Sequence, residues 1–304
     1  MGPTRTSISR RGILAVAATV AATAETPLPR VSFGSHSISR LIVGGNPVSG
    51  NSHVSDAMSG DMMDYFTAAN TCKMLAACEQ AGIDTWQSRG DRHIVRLLRE
   101  YRNQGGRIQW IAQTASELAD IPRHIKDLAA QGARGIYHHG TMTDKLWAAG
   151  RVDQIRDTLR VMRDTGVRVG LGTHLPEVID YVEDKDWDVD FYMTCLYNLS
   201  RTRAQAEAVA GHPVQGEFFW PPDREQMLRR VRKTAKQCLI FKVYGASRHC
   251  RTTADMAAAL RLVADYAKPA DCVVIGMFPK YRDQVSENRR LFLQAFSSGL
   301  KDSP

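Results

Sequence analysis

Two adjacent histidines, His138 and His139, follow the short apolar segment Gly135–Tyr137 and precede a glycine and a polar turn. In a parallel α/β sheet or barrel, side chains at the carboxyl end of a strand leave the core and face the crevice between the loops. An imidazole there can move protons near neutral pH or bind a metal ion. Because neighbouring side chains of a strand point to opposite faces, at most one of the two can face that crevice.

Polar or ionisable side chains also follow the other apolar segments of the chain. We predict that the residues beyond the ends of these segments share one face of the fold, since barrel active sites are assembled from several strand ends. The predicted catalytic core is Asp84, His139 and Lys242. The predicted substrate-binding residues are Asn46, Arg89, Gln113, His138, Asn198, Tyr244 and Arg248.

Two kinds of chemistry fit this set, and the sequence leaves both open. In the first, His53 and His174 join His138 or His139 and a carboxylate to form a zinc- or manganese-like shell. In the second, a histidine works with Asp84 as acid and base without a metal. Lys242 or Arg248 would then hold an anionic or enolate oxygen.

The elements that must position these residues follow a regular βα order. Helix-period stretches separate eight apolar strand candidates, and Gly82, Gly105, Gly132 and Gly166 each fall between a helix and a strand, where a left-handed cap is expected. The candidates are Leu41–Gly45, Ile83–Trp86, Ile108–Ala112, Gly135–Tyr137, Arg168–Leu171, Phe191–Thr194, Leu239–Val243 and Cys272–Ile275. Eight such units predict a closed (β/α)8 barrel of the TIM type. The first strand lacks a following GxGxxG, which disfavours a dinucleotide-binding open sheet.

Four further segments carry specific expectations. Residues 27–39 are typical of a short hairpin or cap, and residues 145–165 have the period of one long helix. Residues 46–64 and 196–222 are long connections after strands. Long βα loops on a barrel are usually lids or substrate walls, so we expect these two to border the pocket.

Residues 1–24 are expected to be a twin-arginine signal peptide, with the single barrel domain occupying residues 25–304. Arg10 and Arg11 precede a short, Ala-rich apolar run, and Ala22-Thr23-Ala24 resembles a cleavage site. This order predicts export through the twin-arginine machinery to the periplasm or beyond. The apolar run is too short to span a membrane, and we expect no stable membrane insertion of the mature chain once the signal is removed.

Charge and cysteine content narrow the partners. Removing three N-terminal arginines would lower the formal charge from +8 to +5, and the remaining basic residues are mixed with acids on helical faces. This pattern does not favour nucleic-acid binding, so we expect a small-molecule substrate. The six cysteines form no CxxC pair, and several lie in apolar patterns typical of buried thiols.

Three segments resemble the aldo-keto reductase superfamily over nearly the whole mature chain. They are the GIDT sequence at Gly82–Thr85, the IYHHG sequence at Ile136–Gly140, and the VIGMFPKYRDQVSEN sequence at Val274–Asn288. The resemblance implies an aldo-keto reductase-like barrel with Asp84 as the family's catalytic aspartate. It also implies His138 or His139, and by position His139, as the residue that polarises the substrate. Lys280 and Asn288 match the segment that binds the nicotinamide dinucleotide phosphate.

The chain departs from the family where the chemistry is done. The family's tyrosine has no counterpart in Trp86–Gly90, and Gln113 stands where its lysine should end the third strand. Without that phenol and the ammonium that lowers its pKa, carbonyl reduction by the usual route is disabled. Met277-Phe278-Pro279 is also bulkier than the family's phosphate loop. NADP is therefore less favoured than a divalent metal or no cofactor.

These observations predict an exported barrel enzyme acting on a small polar, sugar-like or carbonyl compound by acid–base or metal-assisted chemistry, of lyase, isomerase or hydrolase type. The alternatives are an NADP-dependent reductase in which another residue replaces the tyrosine, and an inactive barrel that binds a ligand.

Overall fold

The structure, a computed structural model, describes Gly2 and residues 26–297. The described chain begins with the predicted hairpin, β1 (Arg30–Phe33) paired antiparallel with β2 (His36–Ser39). Residues 1 and 3–24 of the expected signal peptide lie outside the described residues, so its removal stays a prediction.

Eight parallel strands then close into a barrel in which neighbours in sequence are neighbours in space, and β10 pairs with β3 to complete the ring. This confirms the predicted TIM-barrel fold. The strands are β3 (Leu41–Gly44), β4 (Thr85–Arg89), β5 (Gln109–Gln113), β6 (Ala133–His138), β7 (Arg168–Thr173), β8 (Phe191–Cys195), β9 (Gln237–Phe241) and β10 (Cys272–Gly276).

The helices lie around the barrel, and most of them bury one face against the outward side chains of the strands. They are α1 (Asp56–Tyr65), α2 (Ala68–Gln80), α3 (Arg92–Asn103), α4 (Ile121–Ala130), α5 (Gly140–Ala148), α6 (Ile155–Asp164), α7 (Pro176–Asp184), α8 (Arg203–Ala210), α9 (Pro222–Lys233), α10 (Thr253–Tyr266) and α11 (Gln284–Ser297).

The barrel lumen is filled by apolar side chains, as is usual for this fold. Residues such as Ile42, Ile111 and Leu239 form a central layer, and the hairpin closes the amino end below it. Phe33 at the end of β1 is fully buried, with its ring centroid 5.1 Å from that of Phe191. The amino end of the lumen is therefore packed with side chains.

The four predicted cap glycines all have positive φ, between 78° and 92°, which confirms the helix ends. The prediction of one helix over residues 145–165 was wrong. Helix α5 begins earlier, at Gly140, and ends at Ala148, and α6 starts only after a 3-10 turn at Val152–Gln154. Gly150 adopts φ 65° between them, a left-handed conformation that an α-helix cannot continue through.

All six cysteines are free thiols, and five of them are buried, as their apolar surroundings predicted. Among the described residues, no helix combines the length and apolar character needed to cross a bilayer.

Candidate functional site

A cavity of about 650 Å³ opens at the carboxyl ends of the barrel strands. Its volume lies within the usual range for small-molecule sites. Most of the residues predicted to form the site line it together: Asn46, His53, Arg89, Gln113, His139, His174, Lys242, Tyr244 and Asn288. They come from six different strand ends and from the start of α11, so the fold assembles the site from residues far apart in sequence.

His139 is the histidine of the pair that faces the cavity, as its position predicted. The alternation along β6 sends Tyr137 and His139 inward and His138 outward, where the His138 ring bonds Thr143 Oγ1 at 2.8 Å. Thr114 Oγ1 accepts a hydrogen bond from the His139 backbone N at 3.1 Å and fixes the strand end. Ser116 Oγ lies 3.1 Å from His139 Nδ1, so the other ring nitrogen can face a ligand.

His174, which follows β7, is bound by a buried carboxylate that the sequence did not reveal. Asp144 in α5 is 1% exposed, and its Oδ2 lies 2.6 Å from His174 Nδ1. The hydroxyls of Thr173 and Ser200 donate to the same carboxylate at 2.5 and 2.6 Å. Asp144 therefore fixes the orientation of a histidine that reaches the cavity, the arrangement by which carboxylates orient catalytic imidazoles.

Two glycines bring α5 close enough to β7 for this contact. A Cβ on Gly140 would lie 3.2 Å from the backbone N of Thr173, and one on Gly172 would lie 3.0 Å from Gly140 N. Any side chain at either position would push the helix away from the strand. The close approach places Asp144, one helical turn into α5, beside His174 at the end of β7.

Two of the histidines that line the cavity, His139 and His174, differ in charge. Burial, the Arg89 guanidinium and His174 lower the pKa of His139 to about 4, so it is neutral near pH 7. Burial alone would also lower the pKa of His174, but Cys195 and the hydrogen-bonded Asp144 outweigh burial and raise it. The cavity therefore holds a neutral imidazole that can accept a proton and a protonated one that can donate.

Lys242 follows β9 and lines the cavity in a left-handed backbone conformation, with φ 61°. Burial is the main reason that the pKa of its ammonium is lowered. Among the described residues no carboxylate forms an ion pair with its Nζ, which lies 5.6 Å from the centroid of the Phe219 ring. The lysine is thus available to a ligand.

The two long connections meet across the cavity mouth. His53 Nδ1 lies 2.8 Å from both carboxylate oxygens of Glu217, and both residues line the cavity. On the other side of residues 46–64, Asp61 in α1 binds Lys280 and accepts a 2.7 Å hydrogen bond from the Tyr281 hydroxyl. The expectation that these connections border the pocket is confirmed. Sequence reasoning missed Glu217 because it lies far from any strand end.

Polar side chains from three neighbouring strands form one wall of the cavity. Gln87 donates a 2.6 Å hydrogen bond to the hydroxyl of Tyr137, and Gln113 and Arg89 lie beside them. Burial raises the pKa of the Tyr137 phenol above its usual range. Arg89 is paired with Asp91 and Glu117. This wall offers amide and hydroxyl groups that can bind the oxygens of a polar ligand.

The prediction that Asp84 is catalytic was wrong. Asp84 precedes β4 and therefore lies at the amino end of the barrel, opposite the cavity. It accepts a hydrogen bond from Ser39 N at 2.8 Å and forms an ion pair with Arg30 at 2.6 Å. These contacts fasten the hairpin to the barrel, which gives Asp84 a structural role.

Three of the predicted substrate-binding residues do not line the main cavity. The His138 ring is buried on the outer face of β6. Arg248 stacks on Phe219 at 3.8 Å and donates to backbone carbonyls, including that of His53 at 3.4 Å. Asn198 lines a smaller adjoining cavity of about 410 Å³ and accepts a hydrogen bond from Ser200 N at 3.0 Å. The latter two brace the loops of the mouth.

The residues predicted to hold a nicotinamide cofactor are engaged elsewhere. Lys280 does not line the cavity, because its ammonium is paired with Asp61. Asn288 accepts from the Tyr244 hydroxyl at 2.9 Å and donates to the Gln284 carbonyl at 2.7 Å. Both polar ends of this amide are used internally, so these residues do not fit a phosphate grip.

The predicted metal shell is not assembled either. Within residues 26–297 no three His, Cys, Asp or Glu side chains come together as a group that could hold an ion. His53 and His174, the predicted ligands, are each bound to a different carboxylate, Glu217 and Asp144. The described site therefore has histidine–carboxylate pairs in place of a ligand cluster.

No protein-family description matches the sequence, and no curated protein is significantly similar to it. Solved structures resemble the fold at low identity. The aldo-keto reductase AKR11C1 from Bacillus halodurans, in its holo form, is 8% identical, with a TM-score of 0.53 over 91% of this chain and 92% of that one. A truncated 3-deoxy-D-arabino-heptulosonate 7-phosphate synthase from Thermotoga maritima is 11% identical, with a TM-score of 0.53 over 90% and 94%. Gox0644 in its apo form is 8% identical, with a TM-score of 0.50 over 92% and 97%.

These similarities extend over nearly the whole of each chain and agree with the TIM-barrel fold. At such low identity they speak to the fold alone, since one barrel supports many chemistries. The residues that line the cavity are therefore the evidence for function.

Proposed function

We propose that the protein is an enzyme that acts on a small polar compound with a carbonyl group, such as a sugar-like aldehyde or ketone, by acid–base chemistry. One observation carries the proposal: His139, His174 and Lys242 line one cavity and offer a neutral base, a protonated acid and an unpaired amine. Pairs of titratable groups with pKa values pushed apart are typical of acid–base catalysis.

In this proposal His139 accepts a proton from carbon or oxygen, since its ring is neutral near pH 7. His174 donates a proton to a departing or developing oxyanion, and Asp144 stabilises the imidazolium. Lys242 faces the carbonyl oxygen and favours negative charge there. Hydrogen bonds hold both imidazoles in place, so these two rings need little reorganisation during the reaction.

The remaining lining suits a ligand with several oxygens. Gln113, Gln87 and Asn46 offer amide groups, and Arg89, which is paired with Asp91 and Glu117, lies beside them. Met193, Phe241 and Val274 supply an apolar floor. This combination of a few polar groups over an apolar surface is usual for small-molecule sites.

An NADP-dependent reductase is the second candidate, and Tyr137 is the residue that could replace the missing family tyrosine because it lies in the cavity. Its surroundings are unfavourable for that role. Burial raises the pKa of the phenol, whereas the family's lysine lowers it. The partners of Lys280 and Asn288 argue further against a phosphate site. A fluorescence titration with NADPH tests this candidate. A micromolar or tighter Kd, which corresponds to a binding free energy of about −8 kcal/mol or below, would support it.

Deuterium exchange tests the proposed acid–base activity without knowledge of the product. The protein is incubated in deuterium oxide with dihydroxyacetone, glyceraldehyde or pyruvate, and proton spectra follow exchange next to the carbonyl. We expect exchange in the wild type and its loss in His139→Asn. If the folded wild-type protein neither catalyses deuterium exchange in these compounds nor consumes them, an inactive barrel that binds a ligand is the better interpretation.

We propose in addition that the mature protein acts outside the cytoplasm. The support is the order of basic, apolar and small residues within the first 24 positions. An acid–base enzyme without a nicotinamide cofactor suits that compartment, because it does not depend on cofactor regeneration.

A further inference from the structure

We propose that Lys242 is a nucleophile that forms a covalent imine with the carbonyl carbon of the substrate. This inference rests on the proposed carbonyl substrate and deepens it, because it replaces electrostatic contact with a covalent intermediate. Three observations on the lysine carry it: its backbone, its lack of a carboxylate partner, and the company of two histidines in one cavity.

The first observation is the left-handed backbone conformation of Lys242. A left-handed conformation is uncommon outside glycine and costs roughly 1 kcal/mol or more, so it persists where the surroundings enforce it. The Lys242 carbonyl accepts a 2.8 Å hydrogen bond from Gly245 N, which closes a tight turn directly after β9. Ala246 and Ser247 also have positive φ, 50° and 70°. Such strain clusters at functional sites.

Two other lysines at strand or loop ends show the contrast. Lys268 is paired with Asp271 at 2.9 Å and donates to the Val231 carbonyl at 2.7 Å. Lys280 is paired with Asp61. Lys242 is half-buried beside Phe219, and no hydrogen bond or ion pair to its Nζ is found among residues 26–297. A structural lysine at such depth is expected to have a partner.

The electrostatic surroundings agree with this geometry. Burial lowers the pKa of Lys242 most, and Arg248 lowers it further, while Cys195 and Glu217 act in the opposite direction. The net result is a lowered pKa, which increases the neutral amine fraction near pH 7. Neutral amine is the form that attacks a carbonyl, and desolvation is a known way to activate such a lysine.

The step balances with the groups present. The Nζ lone pair forms a bond to the carbonyl carbon, the C=O π pair moves to oxygen, and the amine proton passes to that oxygen to give a carbinolamine. The C–O bond then breaks, with a proton supplied by the His174 imidazolium, and water leaves. The product is a protonated imine that draws electrons from the neighbouring carbon, from which His139 can take a proton.

Reductive methylation with formaldehyde and cyanoborohydride tests the amine directly, because formaldehyde is the simplest carbonyl compound and fits any cavity that admits water. The internal reference is Lys126, an exposed lysine in α4. At neutral pH and limiting formaldehyde, we expect peptide mass spectrometry to show Lys242 methylated several-fold faster than Lys126. The excess should vanish at high pH, where both amines are neutral. Methylation of Lys242 at or below the rate of Lys126 at neutral pH would overturn the proposal.

Two variants separate the covalent role from charge and folding. Lys242→Arg keeps the positive charge but cannot form an imine, and Lys126→Arg is the matched surface control. With any carbonyl compound that the exchange experiment identifies, we expect Lys242→Arg to lose turnover and Lys126→Arg to keep it. Cyanoborohydride should trap the wild type on Lys242 with the mass of that compound less one oxygen atom.

The outcomes distinguish this inference from the proposed function. If the wild type and Lys242→Arg both catalyse exchange and nothing is trapped, the imine is refuted and acid–base catalysis stands. If no carbonyl compound is exchanged but Lys242 is selectively methylated, the proposed function fails and the activated amine stands.

Discussion

Asp144 Oδ2 lies 2.6 Å from His174 Nδ1, and the carboxylate is almost completely buried. A buried carboxylate bound in this way fixes the imidazole and favours its protonated form. The pair comes from two successive βα units, so its geometry depends on how closely α5 packs on β7. It is the contact in the site whose removal should be most informative.

Asp144→Asn should lower turnover roughly 10²- to 10⁴-fold, the usual loss when a general acid is disabled. The amide keeps the volume but removes the charge that holds His174 protonated. The measurement is the rate of deuterium exchange at saturating substrate, and circular dichroism checks the fold.

The matched control is Asp157→Asn, since Asp157 is an exposed helix carboxylate whose side chain is 82% accessible. It should keep the wild-type rate. Equal exchange rates in Asp144→Asn and Asp157→Asn would refute the role of His174 as the proton donor.

The contact between His53 and Glu217 should couple the two loops at the mouth. Because the Glu217 side chain is 44% exposed, we expect a coupling energy of only about 0.2 to 1 kcal/mol. The measurement is hydrogen exchange of residues 46–55 and 211–221 in His53→Ala, Glu217→Ala and the double variant. If the effects of the single variants simply add, the two loops move independently.

Asp84→Asn should affect stability and leave catalysis unchanged. The charged hydrogen bonds to the hairpin are worth about 1 to 3 kcal/mol, which urea unfolding would detect. Turnover of the folded variant should match the wild type. A folded Asp84→Asn protein without activity would contradict the structural role and restore the aspartate to the site.

His138 should make the protein sensitive to mild acid. Burial, with His139 nearby, lowers the pKa of His138 to about 4 from the ordinary value of 6.5. The unfolded chain therefore binds a proton first, so stability is full above about pH 6.5 and falls as the pH drops toward 4, by on the order of 3 kcal/mol. Urea unfolding at about pH 7 and about pH 5 should show the larger part of this loss, on the order of 2 kcal/mol. His138→Asn, which cannot titrate, should reduce it, and an unchanged slope would assign the acid sensitivity to other groups.

Export should depend on the two N-terminal arginines. We expect mass spectrometry of periplasmic protein to show removal of residues 1–24. The double change Arg10→Lys, Arg11→Lys should retain the charge and yet impair export, because the twin-arginine pattern is read as a signal. A periplasmic protein with an intact N-terminus would refute the cleavage, and unimpaired export would refute the route.

The sequence predicted what depends on local periodicity. The alternation along β6 was enough to place His139 inward, and the eight apolar segments were enough to predict the barrel. Asp84 was misplaced because the resemblance to a family motif, and not its position in a strand, assigned it to the site. Both the predicted strand Ile83–Trp86 and the observed β4, which begins at Thr85, place this residue at the amino end of the barrel.

Asp144 and Glu217 could not be predicted in the same way. Asp144 meets His174 only because Gly140 and Gly172 allow a close helix–strand approach, a contact that joins residues 30 positions apart. Glu217 reaches His53 across 164 positions between two irregular loops. Neither pairing follows from hydrophobic period or motif spacing, because both depend on tertiary packing.

The hairpin at the amino end, which buries Phe33 in the lumen, has a consequence for how ligands enter and leave the cavity. Because Phe33 packs against Phe191, the lumen is closed at its amino end. Substrate and product therefore use the same opening, between the two long loops. A product molecule that is still bound therefore prevents the next substrate molecule from binding. Changes in these two loops are therefore expected to alter product release as well as substrate entry.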